Sequence, residues 1–445
     1  MDYIVQTPCG KLRGVKTRTD GIIAFKGIRY ATAGRFEYPR EVTSWEGIYE
    51  ADHYGACAYQ PRSFYDEEDM PKKIFYYNEF RRGAKYEYSE DCLFLNVFAP
   101  ERVEGKLPVL VYIHGGGFTG GCGHEKHFDE PDWPKKGVIG VTINYRLGPL
   151  GFAVLPELKE EAGKTGNYGL YDQLAAIQWV RHNIESFGGD PDNITIMGQS
   201  AGAMSVQQHC LSPISKGLFH KAVMCSGGGV VKVLSAGMPE KHYDFWYMVM
   251  EKCGARTLKE FRQVPVEKLF SVWQENRKSD MTCTSPCIDG ELVVESGHEI
   301  LARGEQHRIP YLIGTTSEDM MPPILYSMAK KWCDKQESNA YLWFFNRNLP
   351  GDNHGAWHSS DLWYWFNTLE NGWRPFNEKD HALAEEMSDR LCAFAKSGNP
   401  NSQGYAEWTS GDGRALILGD KDTKMSRPSA LKLWVTMFTN KAPGE

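Results

Sequence analysis

Five residues, Gly198-Gln199-Ser200-Ala201-Gly202, constrain this chain more than any other stretch. They follow the apolar run Ile194-Thr195-Ile196-Met197 and precede residues that read as helix, so they form a sharp strand-to-helix turn with a serine at its apex. Such a turn strains the serine backbone, and it needs a glycine on each side because a Cβ there would strike the neighbouring strand or helix. The serine hydroxyl is left exposed at the end of a sheet.

The surrounding pattern agrees. Residues 93–98, 107–113, 138–145 and 221–225 read as strands, the second ending in the glycine loop His114-Gly115-Gly116-Gly117-Phe118. Leu170, Leu174, Ile177 and Ile184 fall at helical spacing before the stop Gly188-Gly189. Alternating strands and helices predict a mostly parallel sheet covered on both faces. Residues 10–49 alternate short β-like runs with turns and predict an antiparallel entry to it, whereas 238–278 reads as helical. Between Cys57 and Cys92 a charged, tyrosine-rich excursion shows no period, and long excursions of this kind often border binding sites. After a further strand at 311–313 comes the acidic turn Thr315-Thr316-Ser317-Glu318-Asp319, then a helix near 382–396 and a Trp/Gly-rich tail. No repeat or linker divides the chain, so one domain over 1–445 is expected.

A net charge of −7 with both signs interspersed offers no basic stripe, which argues against nucleic acid or an anionic membrane as partner. The first residues lack a signal peptide and no window reaches the length of a membrane helix, so the expectation is a cytoplasmic protein, with a processed secreted form as the alternative. Eleven cysteines without a tight framework suit free thiols. The pairs Cys283/Cys287 and His124/His127 supply only two ligands each, so neither a metal nor a cofactor is expected.

A serine hydroxyl is a poor nucleophile until a histidine takes its proton and an acid fixes that histidine's tautomer. In this kind of turn the chain order should be serine, acid, histidine. His354, His358 and His381 follow the acidic turn; His358 is favoured because its loop runs into an aromatic segment, with His354 as fallback. Glu318 and Asp319 are both candidates for the acid. Backbone N–H groups of Gly116, Gly117 and Ala201 are expected to receive the oxyanion of acyl transfer. Residues 341–373 hold ten aromatics where composition predicts about four, mostly for the core, with some expected to line an apolar pocket beside His358.

With these motifs in place, the chain resembles the type-B carboxylesterases, the carboxylesterase/cholinesterase family of α/β-hydrolases. Phe25-Lys26-Gly27-Ile28, Ser89-Glu90-Asp91-Cys92-Leu93-Phe94-Leu95-Asn96-Val97, the glycine loop, Asn144-Tyr145-Arg146, Gly166-Asn167-Tyr168-Gly169-Leu170, Phe187-Gly188-Gly189-Asp190-Pro191 and the serine turn carry the likeness nearly end to end. The resemblance implies an α/β-hydrolase fold, Ser200 as nucleophile, His358 as base, Gly116, Gly117 and Ala201 as oxyanion hole, and a small ester as substrate. The family acid falls five residues after the glycine ending its strand, which from Gly314 gives Asp319. Gln199 stands where most members carry Glu, removing a charge that would favour a cationic substrate, so uncharged esters are expected. Cys57 and Cys92 match a family disulfide. The competing class is a non-catalytic binding protein on the same fold, against which the presence of serine, acid and histidine argues. Whether the chain is monomeric or oligomeric is open at this point.

Overall fold

The computed structural model describes residues 3–69, 74–229, 235–337 and 339–439. Among them one large sheet contains β1 (Tyr3–Thr7), β2 (Gly10–Lys16), β3 (Ile22–Arg29), β4 (Ile48–Glu50), β5 (Phe94–Pro100), β6 (Leu107–Ile113), β7 (Ile139–Ile143), β8 (Gly189–Gln199), β9 (Lys221–Cys225), β10 (Tyr311–Thr316), β11 (Ala340–Asn346), β12 (Ala415–Gly419) and β13 (Lys424–Ser426). Their spatial order is β1-β2-β3-β5-β7-β6-β8-β9-β10-β11-β12-β13, with β4 beside β2. Every pair from β7 to β12 is parallel. By contrast β1, β2, β3 and β5 enter antiparallel, as the N-terminal alternation predicts. This is the α/β-hydrolase fold that the motifs imply.

The parallel strands are apolar on both faces because both are covered. Successive side chains point to opposite sides of a strand, so Val109, Val111 and Ile113 of β6 enter one core while Leu110 and Tyr112 enter another. The first core is roofed by the helices Tyr168–Asn183 and Ala201–Leu211, through Ile177, Trp179, Val180 and Val206. The second is roofed by the helix Glu378–Ser397, through Leu383, Met387, Leu391 and Phe394, together with the aromatics at 362–366.

Two stretches differ from the sequence reading. Residues 238–278 are not one helical run but three helices, Tyr243–Lys252, Leu258–Arg262 and Val266–Asn276, interrupted at Gly254 and Pro265, where the chain cannot continue a helix at low cost. The Trp/Gly-rich tail contributes β12 and β13 to the sheet edge and then the helix Ala430–Thr439; strands this short carry too few residues to display a period. The aperiodic excursion folds into short helical turns and the helix Ile74–Phe80, and its ends meet where Cys57–Ala58 pairs with Tyr88–Ser89. No helix among the described residues is long and apolar enough to cross a membrane.

Candidate active site

Strand β8 ends at Gln199 and the next helix begins at Ala201, so Ser200 alone makes the turn, with φ 56° and ψ −123°. That region is costly for a residue with a Cβ and persists only where the surroundings over-determine it. They do so here. A Cβ at Gly198 would lie 2.3 Å from the carbonyl carbon of Gly202, and one at Gly202 would lie 2.1 Å from the carbonyl oxygen of Ile113. The Ser200 N–H donates to the Cys225 carbonyl at 2.9 Å, tying the turn to β9.

The acidic turn after β10 resolves into two roles. Asp319 is buried and accepts from His358 Nδ1 at 2.6 Å, from the Thr315 hydroxyl at 2.6 Å and from the Thr316 hydroxyl at 3.1 Å. Burial alone pushes this carboxyl up, but the imidazole and the hydroxyl donors outweigh it and hold it at about 2. The same pair acts on His358 in reverse: burial lowers the imidazole, Asp319 raises it more, and the result lies above the ordinary value. Glu318 faces elsewhere. Its carboxylate accepts the Ala356 N–H at 2.9 Å and its own N–H donates to the Ala356 carbonyl at 3.1 Å, so it fastens the loop that carries His358. The other histidines lie apart from this acid: His354 packs on Phe75, and His381 is half-exposed near Glu370.

Ser200 and His358 line one cavity of about 430 Å³, together with Gly115, Gly116 and Gly117. No hydrogen bond joins the Ser200 hydroxyl to the imidazole. Instead His358 Nε2 lies 3.1 Å from the Gln199 side-chain nitrogen. With the Nδ1 proton committed to Asp319, Nε2 carries the lone pair, so the carboxamide donates and the imidazole accepts. Gly116 and Gly117 adopt φ 108° and φ 61° and are open to the cavity. A Cβ at Gly116 would sit 2.1 Å from the Gly120 carbonyl oxygen. Among the described residues the N–H groups of Gly116 and Gly117 donate to no other backbone group, and that of Ala201 opens a helix, where it has no intrahelical acceptor. Three N–H groups beside Ser200 are thereby without a backbone acceptor.

The cavity wall departs from expectation. Its aromatic lining is Tyr65, Tyr76, Phe80 and Phe128, not the 341–373 cluster. Nine of that cluster's ten aromatics are buried in the core, and only Trp373 is exposed. Trp357 backs the wall from behind, against Phe75, Tyr76 and Phe80. The excursion also brings Arg62 and Arg81, which bracket the buried Glu125 at 3.0 Å each. Cys57 and Cys92 are both free and buried, so the family disulfide is not formed. A further buried acid, Asp361, escaped the sequence reading: its Oδ2 accepts from the Trp365 indole at 3.2 Å while its Oδ1 has no partner among the described residues. Burial first, and the Asp319 charge second, push its carboxyl up to about 7. Its three-residue offset from His358 is the only trace of it in the sequence.

A family model described as "Carboxylesterase family" matches residues 1–339 and 323–429. The para-nitrobenzyl esterase of Bacillus subtilis (strain 168) is 36% identical over 333 residues, 71% of this chain and 63% of that protein. The fumonisin B1 esterase of Sphingopyxis macrogoltabida is 36% identical over 239 residues, 52% of this chain and 43% of that protein. The chain thus spans less than two thirds of the length of these curated relatives. A solved PNB esterase structure superposes with a TM-score of 0.83 at 27% identity, covering 98% of this chain and all of that one.

Proposed function

This chain belongs to the carboxylesterase family, and from that membership we propose that it hydrolyses small, uncharged carboxylic esters through an acyl-Ser200 intermediate. In this reading His358 Nε2 takes the Ser200 proton as the hydroxyl attacks the ester carbonyl. The N–H groups of Gly116, Gly117 and Ala201 hold the resulting oxyanion, a service worth about 10²–10³ in rate per donor. The imidazolium then protonates the departing alkoxide, and a water molecule, deprotonated by the same nitrogen, releases the acid. Asp319 keeps the Nδ1 proton in place and stabilises the transient positive charge.

The observation that carries the reading is the His358 Nδ1–Asp319 contact of 2.6 Å, with the far nitrogen of that imidazole turned to the cavity that Ser200 lines. Gln199 has to release that nitrogen before Ser200 can use it, a small side-chain motion, since catalytic hydrogen bonds commonly tighten only when substrate binds. The neutral carboxamide there supports an uncharged substrate, and the partly apolar wall supports a modest acyl or alcohol group.

The test is a rapid-mix assay with a chromogenic short-chain ester. The expected result is a burst of one leaving group per chain, lost in Ser200→Ala, and stoichiometric labelling of Ser200 by an organophosphonate. Neither burst nor label in the wild type would favour a non-catalytic binding protein.

A further inference from the structure

Just past the glycine loop, three buried side chains converge from two segments. Cys57 begins the excursion, and Cys122 and His124 follow the glycine loop; their ligand atoms all lie within 4.8 Å of one another. Cys57 Sγ is 3.6 Å from His124 Nε2. Zinc–sulfur and zinc–nitrogen bonds of about 2.3 and 2.05 Å at a tetrahedral angle require an S···N edge of about 3.6 Å. We propose that Cys57, Cys122 and His124 form a binding site for a divalent, thiophilic metal ion of the Zn²⁺ class.

The three positions are pre-set. Asn144 donates to the Ala56 carbonyl at 3.0 Å and accepts the Gly123 N–H at 2.8 Å, so one side chain ties together the flanks of both cysteines. The Cys57 N–H is bound to the Glu87 carbonyl at 2.8 Å. The His124 ring is stacked on Tyr54, centroids 4.5 Å apart and planes within 6°. His127, three residues further on, packs on Phe80 instead at 4.1 Å.

Charge and softness select the ion. Two thiolates and a neutral imidazole carry −2, which a divalent cation cancels in a buried site; a monovalent ion would leave a buried charge. Thiolate donors disfavour Mg²⁺ and Ca²⁺, which take oxygen ligands. Glu125, the adjacent carboxylate, is taken by Arg62 and Arg81, leaving the fourth position to a water or other small ligand. Because a Cβ at Gly121 would lie 2.5 Å from His114 Nδ1, a metal held at 122–124 would also brace the loop that presents Gly116 and Gly117.

The test uses the full chain, purified under reductant, stripped with a chelator and titrated with Co²⁺ as a spectroscopic substitute. The expected result is one Co²⁺ per chain, an intense thiolate-to-cobalt band that Zn²⁺ abolishes, and at least about tenfold weaker binding in Cys57→Ser and Cys122→Ser, with Cys333→Ser unchanged. The proposal is overturned if the reduced wild type gives no thiolate band, if both serine variants keep it, or if a Cys57–Cys122 disulfide is recovered under these reducing conditions. Should the variants fail to fold, alkylation mapping of the wild type decides. Co²⁺ must slow labelling of Cys57 and Cys122 relative to Cys333, and equal rates overturn the site.

Discussion

Gln199→Glu replaces the amide that faces the base with a carboxylate, and its effect follows from one distance. The Gln199 nitrogen lies 3.1 Å from His358 Nε2. A unit charge there would favour the imidazolium by about 5 kcal/mol at an effective dielectric of ~20 and by about 1.3 kcal/mol at that of water. At 1.36 kcal/mol per pKa unit these are limits of about four units and about one. The imidazole side chain is 12% exposed and borders an open cavity, so the expected shift lies between the two limits. On the proposed mechanism His358 works only when neutral, so kcat/KM should rise with pH through its pKa, which Asp319 already holds above the ordinary value. In Gln199→Glu that rise should move upward by at least about one unit, costing about tenfold at neutral pH on the acid side of the rise, with the plateau recovered in alkali. A pH-stat assay of an uncharged phenyl ester across the neutral range reads the shift directly. A displacement under about 0.3 unit would refute the inference that the carboxamide touches the base in the working enzyme. A loss equal at every pH would refute the electrostatic account and indicate misplacement.

Other consequences are equally direct. Asp319→Asn should lower kcat by about 10⁴, because an amide cannot hold the Nδ1 tautomer, while Glu318→Gln should cost about tenfold or less, acting only through the Ala356 loop; steady-state kinetics showing the reverse order would refute the division of roles. Asp361 has its carboxyl at about 7 when folded against an ordinary 3.8. The unfolded chain therefore ionises it first, so its contribution to stability is intact below about pH 4 and declines as pH rises towards 7, by of order 4 kcal/mol. Urea unfolding at both ends of that window should show the decline in the wild type and a flatter profile in Asp361→Asn; parallel profiles would count against a neutral buried acid.

The serine turn was legible because its constraints are local: Gly198 and Gly202 are demanded by atoms a few residues away or on the adjoining strand. Likewise, the β-branched runs gave the parallel sheet, since strands buried on both faces must be apolar throughout. Between Glu318 and Asp319 the residue pattern was silent, and the family register favoured Asp319. In the structure, neighbouring carboxylates hold different parts of one loop, one taken by the His358 imidazole and the other by the Ala356 backbone. Less accessible were features made by long-range closure. Cys57 meets His124 across 67 positions, and no periodicity encodes that meeting. The aromatic density at 341–373 was read mostly as core, which holds, but the few aromatics expected beside His358 do not reach the cavity, since aromatics are used first to fill cores; the wall comes from the tyrosine-rich excursion instead.

That segment has an evolutionary consequence. Residues 60–69 and 74–81 furnish Tyr65, Tyr76 and Phe80 to the cavity, and the two ends of their excursion are brought together where Cys57–Ala58 pairs with Tyr88–Ser89. The residues proposed for the chemistry come from other stretches altogether. Lineages can therefore rewrite the fitting room without touching the engine, and a laboratory can do the same by shuffling this handle between relatives, changing which acids and alcohols are admitted while reaction order and stereochemistry stay as they were.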